Sequence, residues 1–432
     1  MKMWMAALVL LAAVPRAGAV VTGAIFGPGS ESFPIAVVPL KDLGGDGGGA
    51  LGTRFAKVLS RDLELSGYFR LLDPKTFIEG PQSGITASEV DFVGWAALGA
   101  QALVKGSVTA GGETLTVEVR LFDVPGRQEV PQVGRRFTGP AADLPRMAHK
   151  TADAILEYLT GERGPFDSAI ALVSTRGGRL KDIYRFTFDL DDPVRVTDDR
   201  TLVVTPRWRP DGRAILFASY REHFPHLFQV DLASRQVTRL VPGPWVILDG
   251  AWSPDGSKLV VTREEGGNSD IYVLDRAGQV LRRLTDHWAI DVGPVWSPDG
   301  RRVAFCSARG GTPQIYVMDA DGGNPVRVSH TGSYNTSPAW SPKGDRLAYA
   351  TRAGGGFQIV VAAADGSGAA TIPGAGSNEN PSWGPDGRYL VFSSSRGGRR
   401  HLVFADRDGK TQKEFTRGPW DDTSPAWSAR LE

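Results

Sequence analysis

Trp252-Ser253-Pro254-Asp255-Gly256 decides the fold, because the same arrangement returns along the chain at a fixed interval. Trp208, Trp252, Trp296, Trp340, Trp383 and Trp427 recur at spacings of 44, 44, 44, 43 and 44 residues, and five of the six open the pattern Trp-x-Pro-x-Gly. Proline presets φ, aspartate bonds its own backbone and glycine accepts a positive φ, which is the chemistry of a tight hairpin turn. An alternating apolar strand follows, as in Arg302-Val303-Ala304-Phe305-Cys306. A second marker at Ile183, Leu227, Ile271, Ile315, Ile359 and Leu402 runs in parallel with spacings of 44, 44, 44, 44 and 43, and heads strands such as Ile315-Tyr316-Val317-Met318-Asp319. Each period therefore holds about four short strands, the content of one propeller blade.

The offset between the two markers sets blade number and closure. Trp427 is followed by only five residues, so its blade lacks three strands, whereas Ile183 is preceded by one strand and no repeat tryptophan. The two fragments complete each other if a strand at 423–427 pairs with one near 169–175. The expectation is an all-β six-bladed β-propeller with WD40-like repeats over residues 167–432, closed by its C-terminal strand, with the repeat tryptophans between neighbouring blades.

Upstream, residues 34–163 change from period-two hairpins to mixed strands and helices, an α/β N-terminal domain. Residues 35–40 read as a strand, and Leu51, Phe55, Leu59 and Leu63 step by four along a helix that Ser66-Gly67 ends. Residues 68–72 return as a strand, and Thr86 with Glu89 form a capping box for a helix through Leu98. Strands are expected at 102–108, 114–124 and 128–137, a helix at 144–159, and a short linker at 160–165 that leaves the two domains in contact.

The first 19 residues have the parts of a secretory signal, Lys2 ahead of an apolar run and the small-residue site Ala17-Gly18-Ala19. The run falls below the ~20 residues that span a bilayer, so the mature chain is expected to begin near Val20 without inserting into a membrane. Removing Lys2 and Arg16 leaves 47 basic against 48 acidic residues, a balance that argues against a nucleic-acid partner. Residues 20–33 carry five glycines, prolines or serines before Glu31 and read as a flexible segment.

Candidate chemistry is sparse, and neither a cofactor nor a metal is expected. Cys306, the single cysteine, sits in an apolar strand with no neighbour to activate it. Gly47-Gly48-Gly49-Ala50-Leu51-Gly52 fits G-x-G-x-x-G, but seven or so residues separate it from its strand and the βαβ order does not repeat, so it reads as a loop rather than a dinucleotide site. His223 and His226 read as a surface hairpin, and no G-x-S-x-G nucleophile elbow is present. Just before the repeat tryptophans lie Asp249, Asp291, Asn335 with Thr336, Asn378 with Glu379, and Asp421 with Asp422. Read as equivalent under the repeat, they gather around one end of the channel. Such a ring suits a partner's basic or hydrogen-bonding segment, and its acidic oxygens could hold a hard cation; turn formation and capping is the alternative, and the fold symmetry that gathers these residues favours a site.

The whole mature chain resembles the TolB family, periplasmic propeller proteins of the Tol-Pal cell-envelope system. Beyond the blade motif, the resemblance rests on Pro34-Ile35-Ala36-Val37-Val38-Pro39, on Ser66-Gly67-Tyr68-Phe69, on Trp95-Ala96-Ala97-Leu98-Gly99-Ala100 and on Leu159-Thr160-Gly161. It implies a non-catalytic, monomeric adaptor whose propeller binds the lipoprotein Pal and whose mature N-terminus, around Val20, Val21, Ile25 and Phe26, binds TolA. It also implies a role in outer-membrane integrity and in constriction at division. A flexible 20–33 segment fits strand addition to a partner's sheet, a mode carried by backbone bonds. The reading from a different class is a periplasmic propeller enzyme acting on polysaccharide or peptide, which would need metal ligands or an acid–base pair converging in the channel.

Overall fold

The computed structural model describes residues 32–44, 48–178, 180–188 and 193–431. The expected signal sequence and Val20, Val21, Ile25 and Phe26 lie outside these residues. Phe33, placed at the end of the flexible segment by its sequence, is instead the first residue of a strand, its amide donating to the Tyr68 carbonyl at 2.7 Å.

The N-terminal domain runs β1 (Phe33–Val37), β2 (Lys41–Asp42), α1 (Gly48–Leu65), β3 (Phe69–Leu71), α2 (Phe92–Ala97), β4 (Ala102–Gly111), β5 (Thr114–Asp123), β6 (Gln128–Glu129), β7 (Arg135–Pro140) and α3 (Leu144–Thr160). Its sheet has the order β3-β1-β4-β5-β6, with β2 on β4 and β7 on β5. Alternation along β1 divides the core: Ile35 and Val37 pack with Phe55 and Leu59 of α1 and Leu156 of α3, while Ala36 and Val38 pack with Trp95 of α2 and Phe122.

Three expectations are corrected here. The capping box of Thr86 and Glu89 closes only a 3₁₀ turn at Ala87–Glu89; α2 starts afresh with Asp91, whose carboxylate accepts the Gly94 amide at 3.0 Å. The strand expected over 128–137 is two strands, because Pro131 has no amide for the ladder and a turn at Val130 to Val133 re-aims the chain. The glycine cluster is not a loop throughout: Gly48, Gly49 and Gly52 belong to α1, and β1-α1-β3 is a parallel βαβ unit. Gly52 has a packing reason to be glycine, since a Cβ there would collide with the carbonyl oxygen of Leu40.

Downstream, six four-stranded antiparallel sheets form the ring. The first blade is shared between the two ends of the repeat: residues Asp422–Arg430 pair antiparallel with Ser168–Ser174, Trp427 opposite Ile170 and Asp422 opposite Ser174. The closure read from the sequence is thus the one the fold adopts. Each Trp-x-Pro-x-Gly segment is the expected turn; in blade 3 the Ser253 amide donates to the Lys258 carbonyl, the Asp255 carboxylate accepts the Ser257 amide at 3.0 Å, and Gly256 takes φ 66°. Hydrogen bonds from the Ser253 hydroxyl and from the Ser257 amide and hydroxyl hold the Asp255 carboxyl down at about 2.

The repeat tryptophans stitch neighbouring blades. The indole N–H of Trp208 donates to the Ala426 carbonyl at 2.8 Å, and that of Trp383 to the Ala339 carbonyl at 3.1 Å, each one blade back. Trp340 joins Ala304 and Ile315 of blade 4 to Leu347 and Tyr349 of blade 5.

The two domains share one core. Leu59 of α1 and Leu156 of α3 belong to the same buried cluster as Phe186, Phe188, Phe404 and Trp427 of blades 1 and 6. Tyr389 donates to the Ser66 carbonyl at 2.7 Å, and Lys343 pairs with Glu162 at 3.0 Å. The linker is pinned from both sides: Asp153 of α3 accepts the amides of Phe166 at 2.8 Å and Asp167 at 3.1 Å, and Arg430 donates to the Gly164 carbonyl at 3.1 Å. Burial raises the Asp153 carboxyl to about 7 against the pull of those two amides.

Candidate functional site

The innermost strand of each blade (Val203–Trp208, Val246–Trp252, Asp291–Trp296, Asn335–Trp340, Asn378–Trp383 and Asp422–Arg430) lines the central channel. All six tryptophans border one cavity, so they surround one mouth, beside the linker and α3. The starts of the inner strands and the loops feeding them surround the other mouth, which is where the sequence placed its candidate partner site.

Those candidates do not form one ring. Pairing register separates them into two layers. Asp291, Asn335, Asn378 and Asp422 start their strands and are buried scaffold. Asp291 binds Arg309 at 3.0 Å and Asp422 binds Arg176 at 2.8 Å. Where the residue is an amide its partner is an amide too: Asn335 donates to Gln314 at 2.7 Å, and Asn378 to Gln358 at 2.9 Å. Each group bonds the neighbouring hairpin or blade. Burial still raises the Asp291 carboxyl despite the Ser307 and Arg309 contacts.

One register step further along are Asp249, Thr336 and Glu379, all half-buried, at a level completed by Val204, Val292 and Thr423. Asp249 shares this level although it stands three residues before its tryptophan while the others stand four before. The reason is a shifted β-bulge, between Ile247 and Asp249 in blade 3 and between Val292 and Val295 in blade 4. Glu379 accepts Arg400 at 3.0 Å, and Asp421 accepts the Arg400 amide at 3.0 Å, tying two loops together. The Asp249 carboxyl is raised by burial, and its Oδ1 has no hydrogen-bond partner among the described residues.

What the sequence reading missed at this mouth is apolar. Trp288 is 78% exposed and Ile290 52%, in the loop entering blade 4; Phe224, 64% exposed, caps the hairpin of blade 2 beside Tyr220 and Leu202. A signal was available, because Trp245, Trp288 and Trp420 are tryptophans off the repeat, all in inter-blade loops. Trp245 and Trp420 are covered by Arg263 at 3.3 Å and Arg176 at 4.7 Å, whereas among the described residues the one ring beside Trp288 is its neighbour His287 at 5.3 Å. An exposed, unpinned tryptophan on a rigid loop is the usual chemistry of a binding anchor.

The remaining sequence candidates are scaffold. Cys306 is buried, its thiol donates to the Asn335 carbonyl at 3.3 Å, and burial pushes it up to about 12. His226 faces the Trp245 carbonyl and Arg239, and His223 takes φ 74° in its turn.

These features define a closed six-bladed propeller with an α/β domain locked against blades 1 and 6. A family model described as the TolB beta propeller domain matches residues 156–431, and one described as the TolB amino-terminal domain matches residues 23–130. The chain belongs to the TolB β-propeller family. It is similar to the Tol-Pal system protein TolB of Syntrophotalea carbinolica, 40% identical over 190 residues that cover 44% of each chain. The protein of the same name from Anaeromyxobacter dehalogenans strain 2CP-C is 38% identical over 223 residues, covering 52% of this chain and 50% of that relative. These alignments thus span about half the length of the curated relatives or less. The crystal structure of TolB from Acinetobacter baumannii shares the fold, with a TM-score of 0.80 over 94% of this chain and 98% of its own, at 24% identity. No helix among the described residues is long and apolar enough to cross a membrane.

Proposed function

We propose that this chain is a non-catalytic periplasmic adaptor of the Tol-Pal system, binding Pal at the loop-lined mouth of the propeller and TolA through residues 20–33. The observation that carries the reading is the build of that mouth. A rigid scaffold of buried pairs presents Trp288, Ile290 and Phe224 to solvent, with Asp249, Thr336 and Glu379 recessed behind. An apolar anchor set in front of a polar floor is a protein-docking arrangement. The relatives' names place them in the Tol-Pal system, which supports a protein partner from that system.

The inter-domain cleft of about 760 Å³, walled by Leu65 of α1 and by Phe186, Phe415 and Trp420 of the propeller, offers the N-terminal segment a place to dock on its own chain. Docking there and strand addition to TolA would compete, coupling the two partners through one segment.

Calorimetric titration of the mature protein with the periplasmic domain of its own organism's Pal tests the reading. Binding that weakens in a joint Asp249→Ala and Glu379→Ala variant, with the fold intact, supports it. Absence of binding by the folded wild type refutes it.

A further inference from the structure

The mouth surrounded by tryptophans is a chamber in its own right. Its volume is about 860 Å³, within the range of small-molecule sites. Its walls are the six repeat indoles and the prolines of the turns, and among the described residues its charged lining is strongly cationic: Lys150, Arg163, Arg207, Arg209 and Arg430 against the one carboxylate of Asp167. That carboxylate is already held by Arg146 at 2.9 Å.

Two of these guanidiniums have neutral partners only, among the described residues. Arg430 donates to the carbonyls of Gly164, Arg163 and Pro385, and Arg207 to the Pro206 carbonyl alone, at 3.3 Å. Arg207 lies on an inner strand one residue before Trp208, at the position where the other blades carry Ala251, Val295, Ala339, Ser382 and Ala426. The other five blades put small or apolar side chains at this level, and one puts an arginine that buries much of its length. Burial lowers the Arg207 pKa, and the only charge acting against that is Asp249 on the neighbouring strand, which forms no ion pair with it among the described residues. A desolvated guanidinium with no ion-pair partner among the described residues, in a chamber whose described carboxylate is held by Arg146, is costly unless an anion arrives from solution.

We propose that this chamber is a binding site for an organic anion with an apolar, planar body, its carboxylate on Arg207 and its body between the indoles. The guanidinium fork matches a carboxylate in two parallel hydrogen bonds. Indole faces and proline rings suit a flat apolar surface. The excess of cations focuses the field of the low-dielectric walls on the entrance. The site is separate from the docking mouth at the opposite end of the channel, and it stands whether or not that mouth binds Pal.

Titration of the full mature protein with 2-naphthoate and with the neutral 2-naphthalenemethanol, followed by tryptophan fluorescence and calorimetry, tests this. The acid should bind about tenfold more tightly than the alcohol at low salt, the effect of one charge-assisted pair. Arg207→Met, which keeps the length and removes the charge, should abolish the preference while leaving the alcohol's affinity unchanged; Arg207→Lys should retain part of it. If the Met variant does not fold, the wild type still decides, because raising the salt concentration must weaken the acid and spare the alcohol. Equal affinities for the two probes, no binding of either, or a preference that survives in folded Arg207→Met would overturn the assignment.

Discussion

The two mouths of the channel are built on different principles from the same strands. At one end every blade contributes the same residue, and six tryptophans lock blade to blade and wall a chamber. At the other end the strands begin with a mixture of Asp, Asn, Val and Ile, each matched to its local partner, and the loops between them carry the residues that differ most. The contrast teaches that a repeat uses its invariant positions for closure and leaves its other positions free to differ from blade to blade. Substitutions should therefore separate stability from binding according to whether they strike closure and buried pairs or exposed loop residues.

The largest effects belong to closure. Trp427 stacks on Phe188 at 5.7 Å, bonds Ser168 through its indole at 2.8 Å and sits in the core shared with the N-terminal domain. Trp427→Ala should lower stability by about 3–5 kcal/mol, and removal of residues 422–432 should leave blade 1 without its inner strand. Urea denaturation of both, read beside the wild type, checks this; a truncated protein with an unchanged midpoint would break the closure scheme.

Next come the buried pairs at the loop mouth. Asp422→Ala strands Arg176 in the interior and should cost about 3–5 kcal/mol. Glu379→Ala removes a half-exposed partner of Arg400 and should cost at most about 1 kcal/mol. Equal losses for the two would contradict the division of this mouth into scaffold and surface layers.

Trp288→Ala should leave the unfolding free energy within about 0.5 kcal/mol of wild type, because the side chain is largely exposed. The same change should weaken Pal binding by about 2 kcal/mol or more if the residue is the anchor proposed here. Calorimetry on the pair of proteins measures both.

A pH dependence at the domain junction is a separate effect. Asp153, near Asp62 and Arg163, has its carboxyl raised to about 7. A carboxyl raised on folding contributes stability that is fully present below its unfolded value and is lost as pH climbs through the folded one. Wild-type stability should therefore fall between about pH 4 and pH 7 more steeply than that of Asp153→Asn. Since burial also raises Asp249, Asp291 and Asp386, the test is the difference between the two curves. Parallel curves would place the titration elsewhere.

What could be read from the sequence follows the same division. The blade count, the pairing of a strand at 423–427 with one near 169–175, and the inter-blade tryptophans were all legible, because each depends on a spacing that every copy repeats. The helix α1 was legible from the four-residue step of Leu51, Phe55, Leu59 and Leu63. Boundaries set by one residue were not, as with Pro131 dividing a strand and Asp91 restarting a helix after the Thr86 box. The candidate ring was only half legible. Counting back from each tryptophan hides the bulge that brings Asp249 level with Thr336 and Glu379, and no count reveals that Asp291 and Asp422 face inward to an arginine. Trp288 escaped because attention to the repeat hides a tryptophan lying off it.

Hydrogen exchange of the protein with and without its own organism's Pal tests the central claim most directly. Protection confined to residues 285–291 and 220–224, with the turns at 253–256 and 297–300 unchanged, is the result this account predicts. Protection at those turns, around the tryptophan mouth, with residues 285–291 unaffected would contradict it.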